Sequence, residues 1–346
     1  MEKKKIGLLC EAFDQFASLE EKNWKIGYNA GNILFFNALH EIVDCHVVSG
    51  WNKEVLRMQD AIITTELIWI QEGVKPSQNS IYWLETLQMP LVPISVGLQC
   101  EQTKPDFRLT PEMQTLLAAI QERAIIGVRG EYTASILNKH GIKNFEIVGC
   151  PSVYQLPLYQ NGLEFLFAER TRNSTTANYK TFVAPFREAD AAMLHYIANI
   201  SAGFAEQTLN KLADTPWREE PFAQWFADNS YLFFDLESWV RYNARYDFSF
   251  GLRFHGNVAA ILAGARALFV TSDSRTKEMS DYFRLPSLGI DQFNTTKDIN
   301  YYYNNTDYSS FRSVYRTKIN KFLGFLASNG LAPTQTYLNR LEKFKF

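Results

Sequence analysis

Short, unbroken apolar runs alternate along the chain with segments of helical periodicity. The runs at 6–10, 45–48, 60–65, 91–96, 124–128 and 145–148 are continuous and short, so each is read as a buried strand. Between them, 113–121 and 132–140 carry the clearest helical pattern, and Gly141 stands where a glycine closes a helix. A long loop after the first strand ends in Asn29, Gly31 and Asn32. These precede Ile33, Leu34, Phe36, Ala38 and Leu39, the pattern of a helix with an asparagine cap and its positive end toward a crevice. Buried strands alternating with helices predict a parallel, doubly wound α/β sheet.

The pattern restarts in the second half. The polar, aperiodic stretch 170–179 reads as a loop near a domain boundary. A second series then predicts a strand at 181–184, a long helix over 189–212 and a strand at 231–234. At 346 residues the chain is long enough for two domains. The expected architecture is two Rossmann-like domains facing across a cleft, at 1–160 and 161–330, with a last helix in 331–346 crossing back to the first. The segment 291–310, rich in Asn, Asp and Tyr, is expected to be irregular surface. Farther on, Phe311, Tyr315, Ile319, Phe322 and Leu326 recur at helical spacing among Arg312, Arg316, Lys318 and Lys321. Such a basic amphipathic helix, spanning 311–328, either packs on its own domain or makes a peripheral contact with an anionic membrane.

Composition narrows the partners. Thirty-five basic and 37 acidic residues leave a net charge of only -2, which gives no field for a nucleic-acid backbone. Hydrophobic residues at 46% and charged ones at 21% describe a folded globular chain. Glu11 and Asp14 stop the apolar run that follows Lys3, Lys4 and Lys5, and Arg266 interrupts 258–270, so neither a signal peptide nor a membrane span is expected and the location is read as cytoplasmic. Cys10, Cys45, Cys100 and Cys150 are widely spaced and form no C-x-x-C, which predicts reduced thiols. There is no cluster with metal-ligand spacing, no G-x-G-x-x-G, no Walker loop and no G-x-S-x-G.

The chemistry concentrates in Asp247-Phe-Ser-Phe-Gly-Leu-Arg-Phe-His-Gly256 and the strand and turn that follow it. Phe248, Phe250 and Leu252 alternate as in a half-buried strand, and the run ends in a turn with Arg253 and His255, then a short Ala/Gly-rich helix opening near Gly256. The next strand, 267–271, leads to a turn with Asp273 and Arg275. Arg129 holds the same address in the first half, directly after a strand and before a helix. Arginines, a histidine and a helix amino end at the carboxyl ends of strands suit a small phosphorylated anion. The ordinary partner of an arginine so placed is a carboxylate of its own domain, and the repetition at Arg275 favours a ligand.

Gly-x-Arg-x-His-Gly, followed by Ala259-Ala260, Gly264, an apolar strand and a D-x-R/K turn, resembles the signature of the polysaccharide pyruvyl transferases. The resemblance extends to Asn29-Ala-Gly-Asn32, Val96-Gly97, Val128-Arg129 with Ser135 and Leu137, and Gly149-Cys-Pro-Ser152, and is weakest between 156 and 234. It implies transfer of the enolpyruvyl unit of phosphoenolpyruvate to a sugar of a surface polysaccharide or its lipid-linked precursor, closure to a ketal and release of phosphate, with no further cofactor. Carried over residue by residue, Arg129, Arg253, Arg275 and Gly256 would hold the donor. His255 would be the acid or base, beside Arg253. Asn29, Gly31, Asn32, Gly97, Ser152 and Asp273 would line the cleft. The family often has an acidic residue where this chain has Gly130, and a lysine where it has Arg275.

Two other classes share this architecture. A glycosyltransferase-B-like enzyme using a nucleotide sugar commonly presents two Glu with seven residues between them, and Asp273 and Asp281 have that spacing without that residue type. A non-catalytic sugar-binding protein would have no use for a protonatable His255. Trp217, Trp225, Trp239 and Tyr242 offer flat faces for a sugar ring, or core packing. If His255 is not the acid, Asp273 and Glu278 are the next carboxylates to test.

Overall fold

The computed structural model describes residues 4–10, 17–48, 53–65, 67–78, 80–81, 89–101, 103–168, 174–181, 188–209 and 221–346. The strands of the first half are β1 (Ile6–Leu9), β2 (His46–Val48), β3 (Ala61–Thr64), β4 (Ile70–Gln71), β5 (Leu91–Pro93), β6 (Leu98–Gln99), β7 (Ile126–Val128) and β8 (Phe145–Ile147). A parallel sheet runs β2-β1-β3-β5, and one parallel bridge from Val96 to Val128 continues it to the pair β7-β8. Its helices are α1 (Leu19–Lys25), α2 (Asn32–Ile42), α3 (Lys53–Arg57), α4 (Pro111–Gln121), α5 (Glu131–Lys139) and α6 (Leu156–Tyr159).

The second half forms a six-stranded sheet. Its strands are β9 (Thr175–Asn178), β10 (Gly203–Glu206), β11 (Ser230–Leu232), β12 (Phe248–Gly251), β13 (Arg266–Thr271) and β14 (Ser287–Gly289), in the order β11-β10-β9-β12-β13-β14 and all parallel. The order reverses between β9 and β12, so this sheet has its ligand-prone crevice at the carboxyl ends of those two strands. The helices α7 (Glu188–Asn199), α8 (Pro221–Asn229), α9 (Leu236–Asn243), α10 (Phe254–Leu262), α11 (Ser274–Phe283) and α12 (Ile299–Asn305) connect them, followed by α13 (Ser309–Ser328) and α14 (Gln335–Lys343).

Several local expectations are corrected. The stretch read as a boundary loop contains β9, the central strand of its sheet, fully buried. Thr and Asn can occupy it because part of their polarity is met inside: Thr176 Oγ1 donates to the Gly203 carbonyl (3.2 Å) and Asn178 Nδ2 to Ser249 Oγ (2.7 Å), while Asn178 Oδ1 has no partner among the described residues. Residues 182–184, where a strand was expected, lie outside the described residues. The helix expected over 189–212 ends at Asn199, and a turn with Ser201 at φ 49 leads into β10. β12 is buried on both faces: Phe248 and Phe250 enter the second core, while Ser249 bonds Asn178 and Asn257. The segment read as irregular surface carries α12, whose Tyr302 and Tyr303 are buried.

The tail takes the packing role expected of its apolar stripe, and it returns to the first half earlier than 331. Phe311, Tyr315, Ile319, Phe322, Phe325 and Leu326 of α13 are fully buried in the core that also contains Ile6, Leu8 and Val148. At roughly 1.5–3 kcal/mol per enclosed side chain, this stripe is committed to packing and is not available for insertion into a membrane. Tyr315 donates to the Val153 carbonyl (2.8 Å), and Asn329 Oδ1 accepts the Ile125 amide (2.9 Å). The return to the first sheet therefore begins with α13. α14 joins it through Thr334, whose amide donates to Ile42 (2.8 Å), and Tyr337, which donates to the Tyr154 carbonyl (2.9 Å).

Candidate active site

Gly251 ends β12 at φ 139, a conformation that L side chains rarely adopt, and its α-carbon lies against the Asn178 carbonyl of β9. The chain can then turn at the point where the sheet order reverses, and the Arg253 amide donates to the same carbonyl (3.0 Å). Arg253 is the N-cap of α10, which opens at Phe254, so His255 and Gly256 lie inside its first turn, where helix amides have no intrahelical acceptor.

His255 sits between the two units. Its Nε2 is 3.4 Å from Cys150 Sγ, and that sulfur is 3.1 Å from Ser152 Oγ. The Phe35 and Phe254 rings flank it with centroids 5.7 and 5.6 Å away. Burial first, then the Arg129 and Arg275 guanidiniums, push its pKa down to about 3, so the free protein holds it neutral. The Cys150 thiol is pushed up by burial and stays protonated.

Arg129 follows β7 and is buried at 2% exposure. Its Nε donates to Ser95 Oγ (3.0 Å), and its stem lies so close to Gly97 that a β-carbon there would be 2.6 Å from Cδ. Burial, reinforced by Arg275, lowers its pKa to about 10, and it remains a cation at neutral pH.

Arg275 reaches the same region from α11. One terminal nitrogen is 3.4 Å from Asp273 Oδ2, and its Nε is buried without a partner among the described residues. Asp273 caps α11, accepting the Thr276 amide (2.8 Å); burial acts to raise its pKa, but Arg275 and the cap bonds hold it below the usual range.

The first turn of α11 also docks on the first unit. Ser274 Oγ donates to the Leu98 carbonyl (2.7 Å), its amide donates to Cys100 O (2.9 Å), and the Cys100 amide donates back to Ser274 Oγ (3.1 Å). Glu278 then crosses the interface, accepting Thr133 Oγ1 (2.7 Å) and the Thr133 amide (3.0 Å) at the amino end of α5. Gly130 leaves room for it, since a β-carbon there would be 2.7 Å from Glu278 Cβ. Burial pushes Glu278 up to about 7 despite the Thr133 bonds.

The other expected residues divide. Arg253 has the ordinary partner: Nε (3.0 Å) and Nη2 (2.6 Å) both donate to Glu206 Oε1, and Nη2 also to Thr208 Oγ1 (3.0 Å). Much of its charge is thereby answered within its own unit. Asn29 Oδ1 accepts the Gly31 amide (3.0 Å), and Gly31, not an asparagine, is the N-cap of α2. Asn32 ties back to the Ile26 carbonyl (2.8 Å), a loop-holding role. Asp281 is exposed and paired with Lys277 (2.6 Å). Trp239 and Tyr242 are buried in packing, Trp225 meets Phe226 edge-on, and Trp217 lies outside the described residues.

Sequence reasoning missed Cys150 as a neighbour of His255, and it missed the run Glu206-Gln207-Thr208 at the end of β10. The only available signal for that run was a polar triplet after a short apolar stretch. Beside Asp273, a groove of about 810 Å³ opens at the carboxyl ends of β13 and β14, walled by Glu101, Thr103, Ser274, Gly289 and Asp291. Among the described residues no group of three or more His, Cys, Asp or Glu is gathered as a metal site requires, and no helix is long and apolar enough to cross a membrane.

Comparison with known proteins yields one family. The model of the polysaccharide pyruvyl transferases matches residues 8–274. No curated protein matches the sequence. Among solved structures, the chain is similar to a UDP-GlcNAc 2-epimerase of Methanocaldococcus jannaschii bound to UDP-GlcNAc and UDP, at 8% identity, TM-score 0.46 and coverage of 90% and 99% of the two chains. It is also similar to Anabaena Alr3699/HepE in complex with UDP and glucose, at 11% identity, TM-score 0.45 and coverage of 94% and 100%.

Proposed function

Because the chain belongs to the polysaccharide pyruvyl transferase family and is therefore a transferase, we propose that it moves the enolpyruvyl group of phosphoenolpyruvate to a sugar of a surface polysaccharide or its lipid-linked precursor, forming a ketal. One observation carries the reading: a neutral, buried His255 lies within the fields of Arg129 and Arg275, which come from different units. Two guanidiniums suit a donor that carries both a carboxylate and a phosphate. The α10 amides at His255 and Gly256, which lie in the first turn and have no side-chain cap from Arg253, add a third anion-binding element.

The site chemistry follows from that charge arrangement. In the free protein burial first, and then Arg129 and Arg275, keep the imidazole neutral; a bound anion offsets the two guanidiniums, and His255 then takes up a proton more readily. Protonation of C3 of the donor makes C2 electrophilic, one sugar hydroxyl adds there, the C2–O bond to phosphate breaks, and a second hydroxyl closes the ketal. Of the two hydroxyl protons, one balances the proton gained at C3 and the other leaves with phosphate. His255 is the group to carry these protons, and the groove beside Asp273 has room for the acceptor.

Incubation with phosphoenolpyruvate and a cell-envelope glycan fraction is expected to release inorganic phosphate and add the mass of a pyruvyl ketal to a glycan. Release of a nucleotide from nucleotide sugars, with no phosphate from phosphoenolpyruvate, would reject this donor.

A further inference from the structure

The carboxamide of Gln207 is enclosed, and its donor is unused among the described residues. The residue follows β10 at the carboxyl end of the second sheet and is 2% exposed, yet its Nε2 has no hydrogen-bond partner among the described residues. Native chains seldom leave an enclosed amide donor empty unless a water or a ligand completes it. Gln207 is also held in place from both units. Its amide donates to Glu206 Oε1 (2.8 Å), and its carbonyl accepts the Ala30 amide (2.7 Å).

That placement lays the carboxamide against Gly31. A β-carbon at Gly31 would lie 2.9 Å from Nδ1 of His255 and 3.1 Å from Oδ1 of Asn29, and closer still to Oε1 of Gln207. Oε1 of Gln207 and the second ring nitrogen of His255 therefore both border the Gly31 α-carbon, while the other ring nitrogen meets Cys150. Asn29 Oδ1 already accepts the Gly31 amide. The enclosed nitrogen of Gln207 is a donor without a partner among the described residues, and it calls for an oxygen that accepts. The carboxylate and phosphate of phosphoenolpyruvate offer acceptor oxygens, and the two guanidiniums that act on His255 draw that anion to this ring.

Building on the function proposed above, we infer that Gln207 is a substrate-contacting residue whose Nε2 donates to a carboxylate or phosphate oxygen of phosphoenolpyruvate beside His255. Gln207→Met keeps the length of the side chain and removes the donor, and Gln207→Glu puts a carboxylate where the anion would sit. Calorimetric titration with phosphoenolpyruvate is expected to show binding weakened about tenfold in the first variant and more in the second. Without ligand, Gln207→Met is expected to unfold at or above the wild-type temperature, because an empty donor has been removed.

Wild-type affinity in both variants would overturn the inference, including the case in which turnover alone is lost, which would move Gln207 to the acceptor. A ligand-free Gln207→Met that unfolds several degrees lower would also overturn it, by showing a structural role. A wild-type protein that does not bind phosphoenolpyruvate would reject the donor itself, and this inference with it.

Discussion

Acidifying the ligand-free protein from about pH 7.5 to about pH 5 sets two buried groups of the site against each other. His255, 8% exposed, has its pKa pushed from 6.5 down to about 3 by burial and by Arg129 and Arg275. Its contribution to stability is present above pH 6.5 and is lost as pH falls toward about 3, because the unfolded chain takes up a proton that the folded site refuses. At pH 5 that loss is about 2 kcal/mol. Glu278, 5% exposed, is raised from 4.5 to about 7 by burial. Its contribution is present below pH 4.5 and is lost as pH rises through about 7, so acidification to pH 5 restores about 2 kcal/mol.

In the wild type the two nearly cancel. His255→Gln should therefore gain about 2 kcal/mol on acidification relative to wild type, and Glu278→Gln should lose about as much. Urea unfolding at the two pH values measures both, and the remaining titrating groups are common to all three proteins. If wild type and the two variants show the same pH dependence to within about 0.5 kcal/mol, neither group is shielded as described and the argument fails.

Two further outcomes are expected. Arg275→Ala should mainly raise KM for phosphoenolpyruvate, whereas His255→Gln should leave much of the binding and lower kcat by ~10² to 10⁴; a His255→Gln enzyme with near-normal kcat would remove the histidine from proton transfer. Glu206→Gln takes the charged partner from Arg253, so it should destabilise by about 3 kcal/mol, seen as a lower urea midpoint, and a midpoint unchanged from wild type would show that the pair carries no such weight.

What the sequence determined by itself is local and repetitive. Continuous apolar runs alternating with helical periodicity led to a parallel α/β fold, and Gly141 at φ 79 stands just after α5 where a closing glycine was expected. The Arg-x-His-Gly run was legible because its strand, turn and helix are contiguous, and the family model covers it.

What only the tertiary structure decided lies between elements distant in the chain. Thr175–Asn178 looked like a loop because Thr176 Oγ1 and Asn178 Nδ2 find their partners on β10 and β12, which local periodicity cannot show. The stripe of α13 suited a packing face more often than a membrane face, and only the fold showed that what covers it is the core beside the first sheet. Arg253 and Arg275 carry the same charge in similar turns, yet Arg253 meets Glu206 and Arg275 meets a looser contact with Asp273. Cys150, quoted only as part of a resemblance, and Gln207, silent as a motif, are 57 residues apart yet lie beside His255 because chain folding, not spacing, brings β10, α10 and the loop after β8 to one crevice.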